Sequence, residues 1–424
     1  MTSSKRGWRE AHLALRVRTV SVLSLISVGA WAMTSCSSPG PTGRVPTPAP
    51  PGIPLTSSLS SSSITWAALA MGNLHDPLNT FWQLVTLSGA GARWAVATPP
   101  GVASNGGLVV SRGAGGSAVA GFLPSQDLTV SPLAATADDG ATWSTGVLLS
   151  GLPAVPDALA SPAGGPAIAL VRGAGGTVVA SGGGLVSWHR LVTEHSLAGQ
   201  SSAAGCGVTT ITAVGVGQFG SGTVPGSGSS GGSGSSGGSL GAGIPVVGAT
   251  CTHGSRPGLF VPNGSRWVQV GPTLPVGVGS PVQVIRLIGT ATGADALVST
   301  GPGPHATLYA MWSTDGLRTW TTSPGLVLSG RSLDSTGTIP SGGFVVASSR
   351  PGGRPSAWDV QPAAGGWQSL AVTPAGTSSV VASPSGGYDA FAVHSSVLDV
   401  YTLTGGRWQQ SQTLHVPIQY GSSS

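Results

Sequence analysis

"TADDGATW", Thr136 to Trp143, is a tight turn followed by an apolar anchor. The Asp138 side chain is short enough to accept backbone N–H groups of its own turn, and Gly140 can take a left-handed backbone conformation. Trp143 then opens the next run with a side chain that needs burial. The pattern returns in weakened form as "STDGLRTW" (Ser313 to Trp320): Ser313, Asp315, Thr319 and Trp320 keep their places, but Leu317 stands where glycine is expected and Gly316 comes one residue early. "NGSRW" from Asn263 and "GGRW" from Gly405 keep only the turn and the tryptophan.

Outward from that turn the chain repeats. Tryptophans at the start of outer-strand-like runs fall at Trp82, Trp143, Trp188, Trp267, Trp320, Trp367 and Trp408, at intervals of 61, 45, 79, 53, 47 and 41 residues. A 24-residue Gly/Ser tract, Gly220 to Gly243, accounts for the long third interval; without it the spacing is about 55. Propeller blades of four short strands take about 40 to 50 residues, and one such unit cannot shield its apolar face alone. The expectation is an all-β chain, a β-propeller of seven four-stranded blades, with six or eight inside the scatter of the intervals. No segment after Ser37 sustains a 3.6-residue apolar period, so helices should be minor.

Smaller repeats agree. "LVVS" (Leu108 to Ser111) and "VVAS" (from Val178, Val345 and Val380) carry the small and β-branched residues that suit an innermost strand, where blades crowd the axis. "RGAGGSAVAG" from Arg112 and "RGAGGTVVAS" from Arg172 are near copies, echoed by "RPGGR" from Arg350. Their Gly-Gly pairs suit tight hairpins. On this reading all three arginines follow an innermost strand.

Gly (69) and Pro (33) make up about a quarter of the 424 residues, and only 7% are charged. Disordered chains of that kind lack apolar residues, whereas here 40% are hydrophobic and 13 are Trp, which favours a turn-rich folded domain. The formal net charge of +5 is concentrated at the N-terminus. From Ser37 onward there are 13 Arg, no Lys and 12 acidic residues, which leaves no electrostatic footprint for nucleic acid.

Residues 1–36 read as a lipoprotein signal peptide: a basic stretch to Arg18, a 15-residue apolar core from Thr19 to Met33, then "MTSC" ending at Cys36. That core is shorter than the roughly 20 residues a spanning helix needs. Cys36 is the expected site of lipidation, anchoring the chain at the outer face of the cytoplasmic membrane; the alternative is ordinary secretion with a free Cys36. Residues 37–63 are Pro/Ser-rich and read as a tether, 64–418 as the propeller, 219–243 as a disordered insertion inside it, and 419–424 as a tail. A linker between two domains is the other reading of the insertion.

With Cys36 acylated, Cys206 and Cys251 remain as an even pair in an oxidising compartment, and a disulfide is expected; two buried free thiols are the alternative. They flank two strand-like runs. Antiparallel pairing with Cys206 opposite Cys251 would set Ala213 opposite Ile244.

Thr136, Asp138, Gly140, Thr142 and Trp143 match in full the Asp-box, or BNR repeat, and the chain resembles sialidase-like β-propellers on that account. "NTFWQL" and "TPPGVASNGGLVV", from Asn79 and Thr98, resemble segments of exported actinobacterial lipoproteins. The first resemblance implies that the boxes at Thr136, Asp138, Gly140 and Trp143, and at Ser313, Asp315 and Trp320, are structural and lie away from the face where sialidases act. Catalysis of that type needs three Arg, a Tyr activated by a Glu, and an Asp. After residue 36 the candidates are Glu194 and Tyr309, Tyr388, Tyr401 and Tyr420, with Arg112, Arg172 and Arg350. No paired-carboxylate or Ser-His-Asp signature stands out, so no catalytic residue, metal ligand or cofactor is assigned.

The polar cluster "NLHDPLNTFWQL" supplies the candidate ligand-binding residues His75, Asp76, Asn79 and Trp82; its plainer reading is a turn before Pro77 that leads into a core strand. The functional expectation is a non-catalytic, monomeric binding or scaffold module of the cell envelope, meeting a glycan or an envelope protein and no nucleic acid. The alternative is an exo-acting glycoside hydrolase of sialidase type.

Overall fold

The computed structural model describes residues 56–72, 80–89, 91–99, 107–113, 116–123, 133–144, 152, 156–161, 166–171, 176–182, 185, 187–217, 243–275 and 280–416. Cys36, His75, Asp76, Asn79, Arg172, Tyr420, the Gly/Ser tract up to residue 242 and the tail lie outside them.

Strands begin wherever alternating β-branched and small residues run between glycine turns. Among the described residues they fall into seven successive antiparallel groups: 56–96, 107–136, 156–193, 208–270, 282–327, 332–369 and 377–415, blades 1 to 7. In each, strands pair with the next along the chain in the antiparallel meander of a propeller blade, except that Leu326–Val327 pairs back with Thr307–Ser313. Helix is confined to Glu194–Ala198 and a single 3₁₀ turn at Gly303–His305 among the described residues. The chain is a β-propeller.

The first strands of blades 1 to 6 contribute residues to one axial cavity. The first strand of blade 1 (Thr56–Ser60) pairs in parallel with the first strand of blade 6 (Ser332–Thr338), Ser57 facing Thr336. That contact completes the inner wall. The first strand of blade 7 (Thr377–Ala382) gives no residue to the wall and packs on this junction. Val380 N–H donates to Ser335 Oγ (3.3 Å), while the Ala382 carbonyl accepts from Ser60 Oγ (2.7 Å) and Thr65 Oγ1 (2.8 Å). Seven strand groups therefore surround a wall built by six. Close approach near the axis demands small residues: a Cβ on Gly289 would overlap the Val216 carbonyl oxygen of the neighbouring blade.

Residues 56–60 were expected in the tether, but the propeller starts with them. Ser60 is tied to distant strands: its Oγ donates to the Ala382 carbonyl (2.7 Å) and its N–H to Thr338 Oγ1 (2.8 Å).

A tryptophan follows the third strand of each blade, next to the start of the fourth where one is described, and in blade 1 that residue is Trp94 rather than Trp82. Trp82 lies within the third strand (Thr80–Ser88), buried among Leu84, Leu108 and Ala120. Trp94 precedes the short fourth strand Ala95–Val96, 49 residues before Trp143, which brings the first interval into line with the rest. The residue three places before the tryptophan takes a left-handed φ in five blades: Gly91 (76°), Gly140 (85°), Gly264 (61°), Leu317 (66°) and Gly405 (58°). The turn that this conformation creates sends each indole onto the preceding blade. Trp143 meets Trp66 of blade 1 edge-on at 6.1 Å, Trp367 donates to the Pro324 carbonyl beside blade 5 (3.0 Å), and Trp408 packs with Val345 and Ala357 of blade 6. Trp94 closes the circle on blade 7, edge-on to Phe391 at 4.8 Å.

Three further expectations change. "LVVS" at Leu108 and "VVAS" at Val380 lie in first strands, but Val178 begins a run in a third strand (Thr177–Ser181) and Val345 one in a second strand (Phe344–Ser349). Small residues are needed wherever blades face each other, not only at the axis. The RGAGG copies are 60 residues apart, which is not a whole blade: Arg112 ends a first strand, whereas Arg172 follows Ile168–Val171, a second strand. Arg350 also follows a second strand. Finally, Cys206 and Cys251 form a disulfide with Cα atoms 4.9 Å apart, and the flanking runs pair antiparallel, but Ala213 faces Gly248 and it is Gly217 that faces Ile244. Cys206 sits in the turn before the strand, and two bulges, at Val208/Thr210 and Ile211/Ala213, shift the register.

Candidate functional site

The two Asp-box turns are built alike. Asp138 Oδ1 accepts from Thr136 Oγ1 (2.8 Å) and Thr142 N–H (2.8 Å), and Oδ2 from Thr142 Oγ1 (2.5 Å). Gly140 follows with its backbone against the Trp66 ring, where a Cβ would come within 2.9 Å. In the second box Asp315 takes the hydroxyls of Ser313 (3.0 Å) and Thr319 (2.6 Å) and the Thr319 N–H (2.9 Å). Leu317 adopts the left-handed conformation where glycine stands in the first box, and its side chain is buried. The conformation costs about 1 to 3 kcal/mol, and burial of a leucine returns about 1.5 to 3. The departure from the pattern is thus nearly neutral.

These bonds set the charge of the turns. Donors from Thr142, then Thr136, hold the Asp138 carboxyl below the usual range, and donors led by Thr319 hold Asp315 at about 2. A carboxyl depressed from about 3.9 in the unfolded chain stabilises the fold above that value and loses the contribution as pH falls through 2. The melting-temperature gap between the wild type and Asp315→Asn should therefore be full at pH 5, shrink between pH 4 and 2 and close below. A gap constant across that range would show that the charge of Asp315 does nothing for the turn.

Among the described residues, those a sialidase would need lie apart, and Glu194 and Tyr388 are committed to other partners. Glu194 begins the short helix Glu194–Ala198 beside blade 3, and its Oε1 accepts the Ile211 N–H (2.9 Å). His189 and His195, which bracket it in sequence, are exposed. Tyr309 is buried in blade 5. Tyr388 donates to Asp359 Oδ2 (2.8 Å), and burial, reinforced by that carboxylate, pushes its phenol well above the ordinary value. Tyr401 is in the third strand of blade 7. Arg112 is on the face that carries the Asp-box: the turn it enters meets the box directly, Asp139 N–H donating to the Gly116 carbonyl (3.0 Å). Arg350, in a turn between second and third strands, is on the opposite face. Among the described residues no group of His, Cys, Asp and Glu is placed to hold a metal ion, and no helix is long and apolar enough to cross a membrane.

One arrangement with a ligand's dimensions is the axial cavity, about 450 Å³. Small-molecule sites usually measure about 300 to 1,000 Å³ and combine apolar walls with a few convergent polar groups. Leu108, Val110, Val214 and Val216 give the apolar wall, and Trp82 borders it. Of the candidate ligand-binding residues Trp82 is thus brought to a cavity; His75, Asp76 and Asn79 fall outside the described residues. The polar groups include Arg286, Thr290, Asp295, Arg112 and Asp157, beside several serines and threonines. Asp295 Oδ2 accepts the Gly343 N–H (3.0 Å), and burial raises its pKa. Burial draws Arg286 down to about 10. Sequence reasoning passed over Arg286, although "VQVIRLIG" (Val282–Gly289) shows the signal, a lone charge in an apolar strand.

No family model matches the sequence, and no curated protein is similar to it. Among solved structures it is similar to a Bacteroides uniformis protein assigned as a 6-phosphogluconolactonase (14% identity, 84% of this chain and 97% of that one, TM-score 0.49). It is also similar to the fucose-specific lectin of Aleuria aurantia (15%, 76% and 96%, TM-score 0.41) and YCF48 from Cyanidioschyzon merolae (13%, 81% and 95%, TM-score 0.43). These likenesses concern overall architecture and bear on no residue of the site.

Proposed function

We propose that the chain is a non-catalytic binding module of the cell envelope, held at the outer face of the cytoplasmic membrane by acyl groups on Cys36, with residues 37–55 as its tether. The observation that carries the reading is the axial cavity: a ligand-sized space with apolar walls, one bordering indole and a small set of polar groups. The Asp-boxes belong to the scaffold on this reading, since each Asp is spent on its own turn. The rival is a sialidase-type exo-glycosidase. Against it stands the dispersal of Glu194, the tyrosines and the arginines over different blades and both faces.

Native protein extracted from membranes with detergent tests both halves. The N-terminal peptide should begin at an acylated Cys36, and the protein should retain glycans or an envelope protein while leaving sialosides and aryl glycosides intact. Turnover that Glu194→Gln abolishes would make the chain a glycosidase instead.

A further inference from the structure

Arg286 is out of keeping with its surroundings. Its strand supplies Val282, Val284, Ile285 and Leu287 to the core, while the guanidinium turns to the axial cavity. Nη2 donates to the Ser58 carbonyl (3.1 Å); Nε is shielded from solvent and has no partner. Among the described residues no carboxylate pairs with it. Four residues on, Thr290 also lines the cavity, and its Oγ1 is likewise buried without a hydrogen bond. Native interiors rarely leave such groups unmatched, and a guanidinium without a counter-charge is among the costliest. Two buried polar groups without partners thus lie on one wall of a ligand-sized cavity.

We propose that the axial cavity receives a small organic carboxylate, its oxygens on the Arg286 guanidinium, its apolar body against Val214, Val216 and Leu108, and a further polar atom on Thr290. A carboxylate suits the site better than a phosphate. One planar fork with its Nε–H and an Nη–H free matches two coplanar oxygens bearing a single charge, whereas a phosphate dianion calls for more positive charge than one guanidinium provides. Arg286 and Thr290 stand about 13 Å apart along an extended chain, so the ligand spans several bonds. The inference rests on the binding-module reading and gives that module a ligand class.

Calorimetric titration and thermal melts of the full chain, with hexanoate, benzoate and glucuronate, each beside its neutral amide, and with inorganic phosphate, test it. At least one carboxylate should bind and raise the melting temperature, with the matching amide at least 10-fold weaker. Arg286→Met should abolish that binding and raise the melting temperature of the unliganded protein, because it removes an unpaired buried charge. Thr290→Val should weaken binding of glucuronate, the probe with polar atoms beyond its carboxylate, several-fold without loss of stability. The proposal is overturned if no carboxylate binds, if phosphate alone binds, or if Arg286→Met destabilises the unliganded chain, which would make Arg286 a brace for Ser58. Glycan or protein retention that persists in Arg286→Met would leave the binding module standing and remove only its assigned ligand.

Discussion

Replacing Trp94 by alanine should lower the unfolding free energy by about 3 to 5 kcal/mol, the usual range for truncating a buried aromatic residue. Among the described residues the first blade is built from 56–96 and the last from 377–415, and no blade mixes strands from these two segments. Closure therefore depends on contacts between blades 1, 6 and 7; Ser60 Oγ and Thr65 Oγ1 join blade 1 to the Ala382 carbonyl of blade 7, and Trp94 adds packing and hydrogen bonds to the same junction. Its ring is buried against Phe391, Leu398 and Val400 of blade 7. Its Nε1–H donates to Asp389 Oδ2 (3.0 Å), and its backbone exchanges two bonds with the Gln412 amide (2.9 and 2.8 Å). Truncation leaves Asp389, whose pKa burial already raises, with Thr402 Oγ1 (2.6 Å) as its other side-chain donor. Trp94→Phe keeps the packing and loses the N–H, and should cost about 1 to 3 kcal/mol. Trp367, only partly buried, should lose less than Trp94 when changed to alanine. Urea titrations of the three variants give the order; a loss under 1 kcal/mol for Trp94→Ala would mean that the ring closes by other contacts.

The second large effect is the disulfide. Cys206 and Cys251 close a loop of 45 residues, for which the chain-entropy model gives about 4 kcal/mol. Both sulfurs are buried in the cluster joining blades 3, 4 and 5. Reduction, or Cys206→Ala with Cys251→Ala, should lower the melting temperature by about 5 °C for a domain of this size. The strand pairing of Val208–Gly217 with Ile244–Cys251 should survive, since its ladder does not depend on the bond. An unchanged melting temperature under a thiol reductant that demonstrably reaches the pair would contradict the assignment.

The sequence made the repeating unit legible and hid how the ring closes. Turn chemistry and a large apolar residue are local properties, so the Asp-box hairpins and six of the seven junction tryptophans could be found from spacing. Trp82 took the place of Trp94 because "NTFWQL" reads as a strand start. The better signal was the four-residue frame shared by "GARW", "GSRW" and "GGRW" at Gly91, Gly264 and Gly405, each with glycine three residues before tryptophan and each left-handed. The first strand was harder. "TSSLS" has the composition of a tether, and only partners 278 and 322 residues away, Thr338 and Ala382, fix Ser60 at the inner wall. No window along the chain contains that information. Of the site, Trp82 was singled out for its aromatic surface; Arg286 and Thr290 gain meaning only when blade 5 turns them to the axis.

A crystal structure of the propeller measures the central claim most directly. Rotation of each blade onto the next should superpose Trp94, Trp143, Trp188, Trp267, Trp320, Trp367 and Trp408, with every indole lying on the preceding blade and Trp94 on blade 7. Trp94 in solvent, or Trp82 in its place at the junction, would contradict the account.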